Sequence, residues 1–315
     1  MTPQQYRLFL RLADGMPHSG DSLAEAGVSR TAVWKQINAL RRLGLPIVGQ
    51  AGDGYRLECP IEPLDESRIR AAMTGQSAEI EVMPAVGSTN AELSRRQQIH
   101  RRAVLAETQT AGRGRRGRGW LSPPGAGVFA SLGWRFDIGL SGLGGLSLIA
   151  GLAAAEAIKR IADFEIGLKW PNDLVVDGHK LGGCLVEVSG PADGPCIAIL
   201  GVGINLRLPQ EQHPDQPWTD LHSQGMAVGR NALAGALIDA LATGCEQLGE
   251  QGLEAFSGDW ARHDILYGRE VECLGGDGQR LTGTADGIDE QGRLRLLTPD
   301  GLQSLSSAEV SVRAR

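Results

Sequence analysis

Apolar positions in the first sixty residues fall at helical spacing. Tyr6, Phe9, Leu10 and Ala13 mark one helix, ended by Asp14-Gly15. Ser19 to Ala26 reads as a short second helix and Gly27-Val28 as a turn. Ser29 suits the N-cap of a longer helix whose Val33, Ile37 and Leu40 share one face. Helix, glycine-bearing turn and second helix form the helix-turn-helix pattern. Ile47-Val48 and Tyr55-Arg56-Leu57 flank Gly49 to Gly54, which predicts a hairpin, or wing, beside the second helix. Residues 29 to 43 hold no acid, and Ser29, Arg30, Thr31, Lys35, Asn38, Arg41 and Arg42 are the candidates for DNA contact.

Pro60, Pro63 and the polar run Asp65-Glu66-Ser67 mark a boundary. From 79 to about 265 the pattern mixes strands (80–86, 103–107, 127–136, 165–170, 180–188, 196–206) with helices (89–98, 143–162, 230–248, 252–263). The last two strands meet through Ser189 to Pro195, a loop short enough for an antiparallel hairpin. The fold class is therefore α+β with a central mixed sheet, rather than a doubly wound parallel sheet. Short runs at 269–274, 280–288, 293–297 and 302–313 alternate with Gly275-Gly276-Asp277-Gly278, Gln291-Gly292 and Asp300-Gly301, which predicts a small β barrel. The expected domains are 1–62, 63–266 and 267–315.

Composition narrows the classes. With 42% hydrophobic and 22% charged residues, the 315-residue chain has the material of a folded protein and is not disordered throughout. A net charge of -6 excludes a globally basic nucleic-acid coat, though not local basic patches. Five dispersed cysteines without a C-x-x-C argue against a disulfide framework or structural zinc. No N-terminal signal pattern is seen, so the expected setting is the reducing cytoplasm. Ile138 to Ala155 carries no charge over 18 residues, but its five Gly and two Ser suit a buried helix better than a membrane span. Of 31 basic residues, 27 are Arg and only Lys35, Lys159, Lys169 and Lys180 are Lys. Lys is a compact point charge and Arg a wide fork, so a lysine kept in an Arg-biased chain suits a tight site.

The candidate chemistry begins with Gly112-Arg113-Gly114-Arg115-Arg116-Gly117-Arg118-Gly119, which has no apolar residue to anchor it. Four Arg forks and permissive Gly backbone suit a loop that closes on phosphate or carboxylate oxygens. A solvated basic tract is the plainer alternative. The segment matches G-x-G-x-x-G, but Gly119, Pro123 and Pro124 follow where the dinucleotide fingerprint needs a helix, so that reading is rejected. Lys169-Trp170-Pro171-Asn172-Asp173 ends a strand in a turn whose oxygens could meet Mg²⁺. Lys180 precedes Leu181, Gly182 and Gly183, and Gly201-Val202-Gly203-Ile204-Asn205 sets two Gly in an apolar strand, where either a bulge or a close ligand is expected. Ser88-Thr89-Asn90 reads first as an N-cap. Anion-facing donors, a lone lysine and no nucleophile suit phosphate-anhydride chemistry run by positioning and charge stabilisation.

In order, Gly87-Ser88-Thr89-Asn90, Glu107 to Arg118, Lys169 to Asp173, Lys180 to Gly183 and Gly201 to Asn205 resemble the biotin protein ligases. The front helix-turn-helix and the terminal barrel make the chain look like the bifunctional members that also repress biotin synthesis. The resemblance implies a winged helix, a central sheet related to class II synthetases, and an SH3-like barrel. It also implies ATP-driven formation of biotinyl-5′-adenylate, transfer to a lysine of biotin carboxyl carrier protein, operator DNA binding, and an adenylate-linked homodimer. Mg²⁺ would accompany ATP, and no membrane is involved.

By that resemblance Ser88, Thr89, Asn90 and Gln109 would hold biotin, with Arg113, Gly114 and Arg115 closing over its carboxylate. Arg116, Gly117, Arg118, Asn172, Asp173, Gly201, Gly203 and Asn205 would face the nucleotide. Lys180, Arg115 and Arg118 would be catalytic, and Asp173 a metal contact. Gly119 departs from the family, which often has a larger or charged residue there. Two alternatives remain: an adenylate-sensing transcription factor without transfer activity, and a lipoate-type ligase.

Overall fold

The computed structural model describes residues 1–24, 29–50, 54–75, 78–209, 216–275, 279–306 and 310–314. At the front lie α1 (Pro3–Leu12), α2 (Gly20–Leu23), α3 (Arg30–Arg42) and an antiparallel hairpin of β1 (Ile47–Gln50) and β2 (Gly54–Leu57). Thr2 and Gln5 cap α1 reciprocally, and the Ser29 hydroxyl accepts from the Ala32 amide at 3.2 Å to start α3. Leu8, Phe9 and Leu12 pack with Val33, Ile37 and Leu40, whereas Leu10 is exposed, contrary to its expected place on the buried face. The inward row is instead i, i+1, i+4, with Leu10 turned to the far side. The expected rest of the short helix and its turn, at 25–28, and the wing tip, at 51–53, lie outside the described residues.

The central sheet collects β3 (Glu79–Met83), β4 (Arg102–Ala106), β5 (Gly127–Phe136), β6 (Gly167–Lys169), β7 (Asp173–Val176), β8 (His179–Ser189) and β9 (Cys196–Asn205). Among the described residues its order is β3-β4-β5-β9-β8-β7-β6, with β3 and β4 parallel and every other pair antiparallel. Helices α4 (Glu66–Ala72), α5 (Thr89–Leu93), α6 (Leu146–Ala162), α7 (Arg230–Gln251) and α8 (Ser257–His263) surround it. The sheet is mixed and α+β, as expected, but α4 and β7 were not foreseen. Asp65, assigned to a boundary, is the N-cap that starts α4. The expected helix 89–98 stops at Leu93, and 252–263 breaks into a 3-10 turn and α8.

Period-two alternation divides the sheet. Val128, Ala130, Leu132 and Trp134 of β5 and Ala198, Leu200, Val202 and Ile204 of β9 join the main core with α6 and α7. The alternate positions Ser131, Gly201 and Gly203 face the other way, where the site forms. The uncharged stretch becomes part of Leu140–Ala162, long and apolar enough by composition to cross a membrane, yet 61% of its most apolar window is buried in the protein. Ten of the α6 residues lie in the core.

At the end, β10 (Glu270–Gly275), β11 (Arg280–Ile288), β12 (Leu294–Thr298), β13 (Gly301–Leu305) and β14 (Val310–Ala314) form an antiparallel sheet in the order β13-β12-β11-β10-β14. The run read as 302–313 is therefore two strands; the turn residues 276–278 lie outside the described residues. This sheet is fastened to the central one: the buried Trp170 indole donates to the Gly292 carbonyl at 3.0 Å.

A second fastening ties residues 62–65, which follow the front hairpin, to the central sheet and α7. Glu107, fully buried, accepts from the Leu64 amide at 2.6 Å and from Arg230 at 2.7 Å. Arg230 also donates to the carbonyls of Glu62 and Gly127, and Asn231 bonds Asp65 and Pro63. A buried ion pair is tolerable only when its remaining hydrogen bonds are filled, as they are here. Gly125 completes the seam: a Cβ there would lie 2.5 Å from Ile61.

Candidate active site

A cleft of about 780 Å³ opens on the face of Ser131, Gly201 and Gly203. The floor is polar and satisfied. Ser131 donates to the Asn90 side-chain oxygen at 2.6 Å, and its hydroxyl meets that of Thr89 at 2.7 Å. Gln109 accepts from the Thr89 amide at 2.8 Å and donates to the Ser122 hydroxyl at 3.0 Å. Asn90 donates to the Leu185 carbonyl and, at 2.8 Å, to Glu187, which in turn receives Arg113 at 3.1 Å. Ser88 holds the N-cap position of α5 without a side-chain cap bond, so its hydroxyl is not consumed by the helix.

Neither strand glycine marks a bulge, and both line the cleft. The β8–β9 and β5–β9 registers run without a shift there. A Cβ at Gly201 would lie 2.3 Å from the Asn90 side-chain oxygen, and one at Gly203 2.7 Å from the Trp120 ring. The space belongs to side chains of this chain.

The bulge lies one strand over. Asp173 pairs with Gly183 and Leu174 with Gly182, but Val175 pairs with Lys180, so the register slips at Leu181. Leu181 and Gly182 thus both turn to the core, and Lys180 joins Gly183 on the cleft face; an extra residue re-aims a side chain in this way. The Lys180 ammonium meets Asp173 at 2.5 Å and lies 5.6 Å from the centre of the Trp120 ring. Its stem runs along Gly183, where a Cβ would stand 3.3 Å from the lysine Cε. Cys184 lines the same wall, but burial pushes its thiol up to about 12, so it is a small apolar group and no nucleophile.

Over this wall folds the arginine segment. It is a small hairpin: Trp120 donates to Gly112 at 2.9 Å, Gly114 to Arg118 at 2.7 Å, and Arg116 (φ 57) and Gly117 (φ 72) turn the tip. The segment lacks an apolar anchor of its own, but Trp120 supplies one immediately after it, seated on Gly203. Arg115 lies 3.5 Å from the Asn172 oxygen. Burial, then the neighbouring Arg116, hold its guanidinium below the ordinary value, and Asp173 opposes them. A bound anion would offset that desolvation.

Among the described residues, the lining brings together Ser88, Thr89, Asn90, Gln109, Arg113, Gly114, Arg115, Arg116, Arg118, Asn172, Asp173, Lys180, Gly201 and Gly203. Gly117 and Asn205 stay out of it. Asn205 is buried and donates to the Thr219 carbonyl at 3.1 Å, so its amide is committed elsewhere. Trp120 and Glu187 escaped the sequence reading; the tryptophan's adjacency to the glycine-rich run was the one available signal. Arg269 enters the lining from the C-terminal part. Asp173 is the lone carboxylate in that lining, against seven cationic side chains. No cluster of three metal-ligating side chains exists among the described residues.

On α3, Thr31, Lys35 and Arg42 are exposed. Arg30 forms an ion pair with Asp21. Arg41, expected to contact DNA, is turned aside: it donates to the carbonyls of Ile47 at 3.0 Å and Gly49 at 2.7 Å and to Asn38 at 3.2 Å. The wing's unpaired carbonyls capture it because they face the last turn of α3.

Three family models match the chain: an HTH domain at residues 4–56, the Biotin/lipoate A/B protein ligase family at 82–205, and the Biotin protein ligase C terminal domain at 267–313. The bifunctional ligase/repressor BirA of Salmonella typhimurium is 38% identical over 96% of this chain and 95% of its own length. That of Escherichia coli is 37% identical over 98% and 97%. Among solved structures, the biotin protein ligase of Aquifex aeolicus in complex with biotin and ATP superposes with a TM-score of 0.64 and 28% identity, covering 75% of this chain and 99% of that one.

Proposed function

The chain belongs to the bifunctional biotin ligase/repressor family, and from that premise we propose how its residues divide the work. The enzyme activates biotin with ATP to biotinyl-5′-adenylate and passes the biotinyl group to a lysine of an acceptor protein. The observation that carries the reading is the arginine hairpin lying over Lys180 on a floor of paired amides and hydroxyls.

In our reading, Ser88, Thr89 and Gln109 hold the biotin ring system, and Asn90 keeps Thr89 in place through Ser131. Arg113, Gly114 and Arg115 close over the biotin carboxylate and the α-phosphate. Lys180 leaves Asp173 to neutralise charge as the carboxylate oxygen attacks the α-phosphorus and pyrophosphate departs. A point charge at this place acts where charge develops. Arg116 and Arg118 contact the outer phosphates, with Asn172, Gly201 and Gly203 beside the nucleotide. The acceptor lysine then attacks the carbonyl of the mixed anhydride and AMP leaves. A closed hairpin that excludes water protects the intermediate until then.

The residues present do not fit a resident metal, since the lining carboxylate Asp173 already faces an ammonium. Mg²⁺ arrives with ATP as part of the substrate. We propose biotin carboxyl carrier protein as the acceptor and the cytoplasm as the location, where ATP, acceptor and operator meet. The front winged helix, residues 1–62, binds operator DNA, 63–266 carries the chemistry, and 267–315 completes the cleft. Adenylate-linked pairing of two chains would place two recognition helices on a palindromic site.

Incubating the protein with ATP, an apo carrier domain and either biotin or lipoate tests the reading. Mass addition of a biotinyl group, and none with lipoate, is expected. Adenylate formation without transfer would favour the sensor alternative.

A further inference from the structure

The outward face of α3 carries a side chain that the functional reading has not used. Trp34 is 48% exposed, although burial of so large an apolar ring is the ordinary outcome. Its helix has apolar partners enough, since Val33, Ile37 and Leu40 fill the inner face. Trp34 stands one turn after Arg30 and Thr31 and one turn before Asn38. Among the described residues no ring or hydrogen-bond partner is recorded for it. Arg41, the cation nearest in helical phase, is held by the wing and Arg30 is paired with Asp21, so the open face reduces to Thr31, Trp34, Lys35, Asn38 and Arg42.

That face is cationic, free of acids and polar except for one indole. It complements a groove that presents anionic edges and isolated apolar groups. The major groove is such a surface: phosphates line it, and the thymine C5-methyl is its apolar feature. Trp34 lies in the first half of α3, the half that a recognition helix turns to base edges. We propose that Trp34 is a specificity-determining residue that packs on thymine methyl groups of the operator, while Lys35 and Arg42 supply phosphate contacts. This rests on the DNA-binding reading above.

The test uses the full chain with biotin and ATP present. Selection from a random duplex library yields the preferred site of the unaltered protein. Trp34→Ala should keep its melting temperature, its biotin transfer and its salt-dependent binding to random duplex. It should lose roughly ten-fold or more in affinity for the selected duplex, the scale of one wrong base pair. Replacing single thymines of that duplex by uracil removes only the methyl. At the contacted position uracil should weaken the unaltered protein and leave Trp34→Ala unaffected. Equal binding of the selected duplex by both proteins would overturn the proposal, as would uracil losses that add to the Trp34→Ala loss. Equal weakening on selected and random duplex would overturn it too, by making Trp34 a backbone contact. If the unaltered protein selects no sequence at all, the DNA-binding reading itself falls.

Discussion

Two glycine-rich regions face each other across the cleft, and their glycines do opposite things. In β9, Gly201 and Gly203 are absences that other side chains occupy: Asn90 and Trp120 sit where a Cβ would be. In the arginine hairpin, Gly119 has nothing within 4 Å of a Cβ, and Gly117 has open space but a positive φ of 72°. The first pair builds a fixed wall by close packing, where even one methyl is felt. The second supplies backbone permissiveness to a cover that packs only at its root. A closely packed wall and an open turn above it draw different physics from the same residue type.

Substitutions at four positions put that contrast to the test. The largest effect is expected at the wall's charge. Lys180→Arg should lower biotin-dependent ATP–pyrophosphate exchange by about 10²–10³, or ~2.7–4 kcal/mol, because a guanidinium is too wide beside Gly183. Near-normal exchange would end both the wall argument and the role of Lys180. On the cover, Arg115→Ala should speed loss of the adenylate by an amount worth about 1.5–3 kcal/mol, measured by trapping released intermediate. Unchanged retention would remove Arg115 from the clamp.

Back on the wall, Gly201→Ala should destabilise the fold by about 1–3 kcal/mol in thermal melts and weaken biotin binding, as Asn90 is forced aside. A melt identical to that of the unaltered protein would show that the strand glycine is not spatially required. Smallest of all, Gly119→Ala should change stability by less than about 0.5 kcal/mol and leave biotin transfer intact, since the site is open. A large loss there would mean that the cover is as tightly built as the wall.

The α3 cap at Ser29, the stripe Val33, Ile37 and Leu40, the β8–β9 hairpin and the arginine run were legible because each is written in adjacent or periodic residues. What escaped depends on residues far apart in sequence. Trp120 meets Gly203, Glu187 joins Asn90 to Arg113, and Glu107 meets Arg230 across 123 positions. The slip at Leu181 escaped as well, because a bulge is fixed by what both neighbouring strands need on each face, which a single strand does not encode. Arg41 looked like a DNA contact for the same reason: its cationic character is local, but the wing carbonyls that capture it are not. Asn205 completed a motif on paper, while in space its amide belongs to Thr219.

The seam of Glu107, Arg230 and Asn231 holds residues 62–65, the segment that joins the front helices to the central sheet. It turns the whole chain into a measuring instrument. If two chains pair as proposed and the seam holds on DNA, the distance between their α3 helices is set by the ligase body. Half-site separation then becomes a fixed length carried by the protein, and an operator with one base pair inserted at its centre would present the second half-site displaced and rotated out of reach.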